Sequence, residues 1–385
     1  MINIVKKEDC AGCYSCKNIC PKGCIEMESD REGFSYPKVD RDKCIDCNLC
    51  EKVCPVLNNM NNEMIESSAY ACKNNNEKTR KTSSSGGVFT LLCENIISKN
   101  GIVFGAAFDR DFDVKHMYAE TLESCEKFKE SKYVQSEIGN TYKIAKSFLD
   151  NGRNVLFSGT QCQIKGLNLF LNKHYNNLIT VEIICHGVPS PKVFKLYKQS
   201  LSKKYNSNIK NIRFRDKRLG WNKFSYTTEF ENNEVYSKPL NEDIYMKGFL
   251  SDLYLRPSCY ACKAKNFSSN SDVSLADYWG VEKKHSKFND DKGTSLVLVA
   301  TKKGQDIFEE ISINMEVSKT DMEYAIENNP AIIKSVKYNK NRDKFFKRIG
   351  KKDLEESIIK CITPTFIQKA KWKTRSGFRK IKKML

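Results

Sequence analysis

Hydrophobic and polar positions follow two regimes along the 385 residues. Over residues 1–57 no apolar period persists, and each half of the segment reads as a loop with a short helix. Residues 58–68 (NNMNNEMIESS) are polar and free of aromatics, which marks a linker. From residue 69 the pattern changes to alternating apolar strands and amphipathic helices. Helices are predicted over 88–100, 141–150, 164–171, 193–204 and 243–255. Strands are predicted over 101–108, 153–159, 178–185, 273–278 and 295–301. Residues 224–231 and 235–240 flank Asn232-Asn233 and read as a hairpin. The alternation predicts an α/β domain over 69–340 with a mixed sheet and a small β-hairpin insertion. The whole chain is then α+β, with a small module over 1–57 and a helical, basic tail over 341–385.

Chemistry enters with the cysteines. Two runs share one spacing: Cys10-x2-Cys13-x2-Cys16-x3-Cys20-Pro21 and Cys44-x2-Cys47-x2-Cys50-x3-Cys54-Pro55. Each matches the bacterial ferredoxin run for a 4Fe-4S cluster. Three cysteines of a tight loop can face one cubane, while the chain carries the fourth to the other cluster. This assigns cluster one to Cys10, Cys13, Cys16 and Cys54, and cluster two to Cys44, Cys47, Cys50 and Cys20. Zinc also takes four thiolates but has no need of the repeated fourth Cys-Pro. A module this small buries too little apolar surface to stabilise itself, so the metal supplies much of its folding energy.

Composition narrows the setting. The chain has 17 cysteines, an odd number, and its opening MINIVKKEDC lacks the apolar core of a signal peptide. No apolar run approaches the roughly 18 residues of a membrane span. These features predict a cytoplasmic protein whose cysteines serve metal rather than disulfides. The net charge is +18, almost none of it in residues 1–57. A positive body favours acidic partners: a ferredoxin, a nucleotide or an anionic membrane surface. Nucleic acid is disfavoured, because no recognised binding module is present. Residues 369–385 carry Lys369, Lys371, Lys373, Arg375, Arg379, Lys380, Lys382 and Lys383 with Trp372, Phe378, Ile381 and Leu385 between them. Such a segment reads as a solvated terminus, with peripheral contact with the inner face of a membrane or with a partner as the alternative.

Four further cysteines sit at strand ends or in a pair. Cys162 follows Gly159-Thr160-Gln161 where a strand turns into a helix. Cys185 precedes His186-Gly187 at the end of the next strand, and Cys259-x2-Cys262 follows Arg256-Pro257. Neighbouring strand ends of an α/β sheet converge on a ligand crevice. A thiol at a helix N-terminus is also expected to have a lowered pKa. By spacing alone, Cys259 and Cys262 also suit half of a zinc site, and Cys162 a catalytic thiol. Arg213, Arg215, Lys217 and Arg218 fit an anion clamp or a charged strand edge equally well. His186 reads as a proton relay or a structural neighbour of Cys185. His116, His174 and His285 read as surface residues, and Cys24, Cys72, Cys93, Cys125 and Cys361 as small buried side chains.

The pieces SSSGGVFTLL, KYVQS, SGTQCQIKGL, CHGVPSP, FRDKRLGW, CYACK and SDVSLADYWG, in that order over residues 69–300, resemble the beta-subunit family of coenzyme F420-reducing hydrogenases and dehydrogenases. The N-terminal two-cluster module is similar to that of its bacterial members. The resemblance implies an iron–sulfur flavoprotein with FAD beside a third 4Fe-4S cluster held by Cys162, Cys185, Cys259 and Cys262. It makes Ser84, Ser85, Gly86 and Gly87, ahead of a helix, a site for the FAD diphosphate. It places Lys132, Tyr133 and Ser136 against the flavin, with Lys132 as a charge that stabilises a reduced anionic ring. Gly159, Thr160 and Gln161 are expected to face that ring, with Lys132 and Gln161 as the catalytic candidates. The implied function is an oxidoreductase passing electrons between ferredoxin-type clusters and an FAD that serves an unknown small molecule. A ferredoxin or another redox protein is the expected partner. The alternative is an electron-transfer subunit of a larger complex with no substrate of its own. The deazaflavin used by archaeal relatives does not transfer by resemblance.

Overall fold

The computed structural model describes residues 1–58 and 67–363. Most of the predicted linker, and the basic stretch 369–385, lie outside the described residues. Thirteen strands are present among the described residues: β1 (Ile25–Ser29), β2 (Ser35–Val39), β3 (Ser68–Asn74), β4 (Ile102–Phe108), β5 (Val114–Ala119), β6 (Val155–Thr160), β7 (Leu178–Ile183), β8 (Ile209–Asp216), β9 (Ser225–Phe230), β10 (Val235–Pro239), β11 (Val273–Asp277), β12 (Ser295–Val299) and β13 (Met315–Thr320). An eight-stranded mixed sheet runs β13-β3-β12-β11-β7-β6-β4-β5. Its centre, β11-β7-β6-β4, is parallel, and antiparallel strands flank it on both sides.

Burial on both faces explains the apolar centre. In β4, Val103 and Ala107 face the helices Val88–Ser98 and Lys302–Ser312. Ile102 and Phe104 face the helices Thr141–Asp150 and Gln161–Leu171. A second core gathers the helix Pro191–Tyr205, the three-stranded sheet β10-β9-β8, and the helices Ile244–Leu250, Arg342–Arg348 and Leu354–Ile362. The predicted hairpin is therefore the outer pair of a three-stranded sheet. Among the described residues no helix is long and apolar enough to cross a membrane.

The first 57 residues add the β1–β2 hairpin and two short helices, Ser15–Ile19 and Leu49–Lys52. Their core is chiefly Ile2, Ile25 and cysteines, as expected where metal does the work of apolar burial. This module is seated in the body. Gly166 lets the helix Gln161–Leu171 approach it closely: a Cβ there would lie 2.5 Å from Ser15 Oγ and 3.1 Å from Cys13 Sγ. Arg342 Nη2 donates to Glu32 Oε2 at 2.6 Å, both side chains being buried. Lys192 Nζ donates to Arg31 O at 2.8 Å, and Ser190 Oγ to Glu32 O.

Candidate functional site

The site comprises three cysteine-lined cavities and one large cavity. The first, about 340 Å³, is lined by Cys10, Cys13, Cys16 and Cys54. The second, about 350 Å³, is lined by Cys20, Cys44, Cys47 and Cys50, with Cys24 as a fifth sulfur. Each expected ligand set thus meets at one void, including the exchanged fourth cysteines. The helix Ser15–Ile19 separates Cys13 from Cys20, and the helix Leu49–Lys52 carries Cys50 and leads to Cys54, so each short helix spans the two voids. Cys24 Sγ lies 3.3 Å from Cys20 Sγ. It is buried as expected, but beside the second void rather than in plain core. Cys47 and Ile45 are exposed on the rim of that void.

The third cavity, about 580 Å³ including its open mouth, is lined by Cys162, Cys185, Cys259 and Cys262. Chain direction brings them together. The parallel strands β6 and β7 end at Thr160 and Ile183 on the same edge of the sheet, which delivers Cys162 and Cys185. The pair Cys259 and Cys262 comes on a 3-10 turn, Pro257–Ala261 and its C-cap. Ala11, Pro55 and Val56 line both this cavity and the first. Among the described residues no three His, Cys, Asp or Glu side chains are spaced to hold a single metal ion.

The expected acidity of Cys162 is corrected. It sits one residue inside the helix Gln161–Leu171, yet burial, then the neighbouring Cys262, pushes its thiol well up. Desolvation outweighs the small helix-end effect. Burial likewise holds Cys13 and Cys259 up at about 12. Thiolates persist in such voids only where a bound cation offsets their charge.

Thr160, Cys185, His186, Gly187 and Val188 line the third cavity and also a fourth. This fourth cavity encloses about 1420 Å³ including its open mouth. Ser84, Ser85, Gly87, Lys132, Tyr133, Ser136, Gly159 and Thr160 line it as expected. Two expected residues stand elsewhere. Gln161 is buried against the cysteine cavity, its Nε2 donating to Ile332 O at 3.4 Å, because the helix starts there and turns the side chain away from Gly159. Gly86 packs against Cys72 and Ser295, because the loop must pass close to β3 and β12. The serine hydroxyls are also less free than expected. Ser85 Oγ donates to Thr294 O at 2.7 Å, and Ser84 Oγ receives Ser131 N at 2.7 Å.

Lys132 Nζ donates to Lys127 O at 2.7 Å and Lys129 O at 2.6 Å. Burial lowers its pKa to about 7, opposed by the charge of Glu130. The basic stretch divides. Arg213 meets Glu130 at 3.6 Å, Arg218 meets Asp216 at 2.7 Å, and Lys217 donates to the carbonyls of Arg80, Ser85 and Lys292. Of the four, Arg215 turns into the large cavity, bonded to Asp277. His186 Nε2 lies 2.6 Å from Asp252 Oδ1, with its side chain largely exposed.

The sequence reading missed His116. It is buried, lines the large cavity and donates from Nε2 to Ser158 O at 3.0 Å. The alternation of β5, with Val114 and His116 turned inward, was its only signal. His285 is also partly buried, its Nδ1 3.1 Å from Ser318 Oγ, while His174 is exposed. Burial lowers the pKa of His116 to about 4, opposed by the Ser158 hydrogen bond. Below about 6.5 the unfolded chain gains a proton that the folded one refuses, so stability falls as pH drops toward 4. Anaerobic urea midpoints at pH 7.5 and 5.5 should show the wild type losing about 1 kcal/mol more than His116→Gln; equal losses would contradict this.

A cofactor for the large cavity can be tested against the wall itself. Arg215 Nε and Nη2, His116 Nδ1 and Thr90 Oγ1 are buried without a partner, and all three residues line it. Buried polar groups left unpaired are costly. The wall thus suits a large ligand that presents both acceptors and donors, as FAD does with its diphosphate and its ring imide.

Comparison with known proteins adds to this geometry. Residues 152–324 match the family described as the C terminus of the coenzyme F420 hydrogenase/dehydrogenase beta subunit. Residues 9–58 match the 4Fe-4S dicluster domain. NADH-quinone oxidoreductase subunit I 2 of Geobacter metallireducens is 38% identical over 55 residues, 13% of this chain and 42% of that protein. Ferredoxin 7Fe of Hydrogenibacillus schlegelii is 45% identical over 51 residues, 13% of this chain and 59% of that protein. The chain thus spans under two thirds of these relatives. A chain of the F420-reducing NiFe hydrogenase complex from Methanosarcina barkeri aligns with a TM-score of 0.47 and 17% identity, covering 75% of this chain and 95% of that one.

Proposed function

We propose a function from one premise: residues 152–324 match the family described as the C terminus of the coenzyme F420 hydrogenase/dehydrogenase beta subunit and follow a segment, residues 9–58, that matches the 4Fe-4S dicluster domain. The chain is an iron–sulfur electron-transfer protein. Its finer function is that of an FAD-dependent oxidoreductase with three four-iron clusters. Cys10, Cys13, Cys16 and Cys54 hold the first, Cys44, Cys47, Cys50 and Cys20 the second, and Cys162, Cys185, Cys259 and Cys262 the third. The flavin occupies the large cavity.

The observation that carries this reading is contiguity. The first and third cavities share Ala11, Pro55 and Val56, and the third and fourth share Thr160 and residues 185–188. When bound, clusters exchange single electrons and a flavin exchanges one or two, so their adjacency allows one-electron donors to serve two-electron chemistry. The chain's own residues set the conditions. Thr160 and Gln163 cap the helix that presents Cys162. Val188 N–H points at Cys259 Sγ from 3.4 Å and Ile2 N–H at Cys50 Sγ from 3.2 Å, contacts of the kind that tune cluster potentials. Lys132 supplies a proton or a positive charge at Nζ. The exposed rim at Ile45 and Cys47 is where a ferredoxin or another redox protein would meet the chain.

Anaerobically purified protein should release about one FAD per chain, identified by chromatography of the extracted flavin. Release of FMN, or of no flavin after reconstitution, contradicts the reading of the large cavity. Reduction of a small molecule by the isolated chain with reduced ferredoxin would separate an oxidoreductase from a subunit that has no substrate of its own.

A further inference from the structure

We propose that Arg215 is the anion-recognising residue of the large cavity, its free side-on edge receiving two oxygens of one carboxylate or phosphate group. The guanidinium is fully enclosed: the side chain is 3% exposed. Nη1 is spent on Asp277, with Tyr133 Oη 3.5 Å away. Nε and Nη2 have no partner although both are buried. These two N–H groups form the side-on fork, the edge that matches a carboxylate or phosphate bidentately.

The fork is held in place. The guanidinium carbon lies 4.2 Å from the ring centroid of Phe224 and 5.7 Å from that of Trp279, and Trp279 stacks on Trp221 at 4.9 Å. Asp277 cannot swing across to the free edge. Its other oxygen accepts from Trp221 Nε1 at 3.1 Å. Nor do the neighbouring cations compete, because Arg213, Lys217 and Arg218 are committed to Glu130, to backbone carbonyls and to Asp216. A purely structural ion pair would need one edge of Arg215; the other edge is enclosed in the cavity wall with both N–H groups unpartnered.

The inference rests on the flavin reading only for the source of the anion, which is either the diphosphate of FAD or an acidic group of the substrate. Calorimetric titration of the full-length, cluster-loaded protein separates the two. The proteins are wild type, Arg215→Gln and Arg215→Lys; the probes are FAD, riboflavin, oxalate and inorganic phosphate. If the cofactor supplies the anion, both variants lose at least tenfold in FAD affinity and keep their riboflavin affinity. If the substrate supplies it, FAD affinity is unchanged, and oxalate or phosphate binding to the FAD-loaded protein weakens at least tenfold in both variants. Asp277→Asn, which removes the carboxylate bonded to Arg215, should instead tighten anion binding several-fold, so a poorly folded Arg215 variant does not end the test. Affinities for all four probes within twofold across the proteins, or unchanged FAD affinity together with no oxalate or phosphate binding by wild type or Asp277→Asn, would overturn the proposal. Failure of any flavin to bind would sink the flavin reading alone, since oxalate and phosphate still report on Arg215.

Discussion

Replacing Arg256 with methionine is expected to loosen the first 57 residues from the rest of the chain, at a cost of about 3 kcal/mol or more. Arg256 is wholly buried. Its Nε donates to Cys10 O at 2.7 Å, Nη1 to Gln135 Oε1 at 2.9 Å and Nη2 to Ser35 O at 3.0 Å. Its own backbone N–H bonds Val188 O at 3.0 Å, just ahead of the turn that carries Cys259 to the third cavity. One side chain therefore ties the loop of Cys10 to the segment that carries Cys259. Methionine fills similar volume but takes the donor from one buried oxygen, Cys10 O, and from two half-buried ones, and each such loss costs up to about 1–3 kcal/mol, not fully additively.

None of those partners is a carboxylate. The atom among them that can carry negative charge is Cys10 Sγ, 3.4 Å from Nη2, and the ring of Tyr36 lies 4.5 Å away. A buried cation so placed favours the more negative state of a cluster bound at that sulfur. The methionine variant should thus show faster hydrogen exchange across residues 1–57 and a lower potential for one N-terminal cluster signal. Lysine should restore part of the potential but little of the protection, because it lacks the fork. Unchanged exchange and unchanged potentials would show that Arg256 is not the tie.

The parts of this architecture that were legible in the sequence were those set by local pattern. Two cysteine runs of equal spacing announce two clusters, because ligand geometry dictates spacing within a loop. Strands β4, β6, β7 and β12 are apolar on both faces and stand out for that reason. Strands at the margins do not. β13 and β5 edge the sheet and carry charged residues outward, while β1 and β2 are mostly exposed and lack a clean alternation. The helix expected over 243–255 ends at Leu250, since Asp252 takes a left-handed backbone and Leu253, Tyr254, Leu255 and Arg256 then run buried on every side. An all-round apolar stretch mimics helical periodicity. Gln161 and Gly86 were misplaced at the site for a related reason. A motif states which residues are near a ligand, but the start of a helix or the closeness of a neighbouring strand decides which way each one faces. For Arg215 and His116 the local pattern offered only a basic run and a strand alternation, and long-range packing decided that these two side chains line the cavity.

The second large effect concerns the cavity between the dicluster module and the proposed flavin. Cys162, Cys185, Cys259 and Cys262 come from three separate segments, yet they line one void. Burial raises the thiol pKa of Cys162, Cys185 and Cys259, an unusual expense for a core, whereas four thiolates are what a cubane requires. Replacing all four with serine removes the ligands and keeps nearly the same volume. The measurement that tests this most directly is the iron and sulfide content of anaerobically purified protein, read with its low-temperature paramagnetic resonance spectrum after reduction. Wild type should carry about twelve irons per chain and the four-serine protein about eight, with the N-terminal cluster signals intact. About eight irons in the wild type, or equal iron in both proteins, would contradict the account.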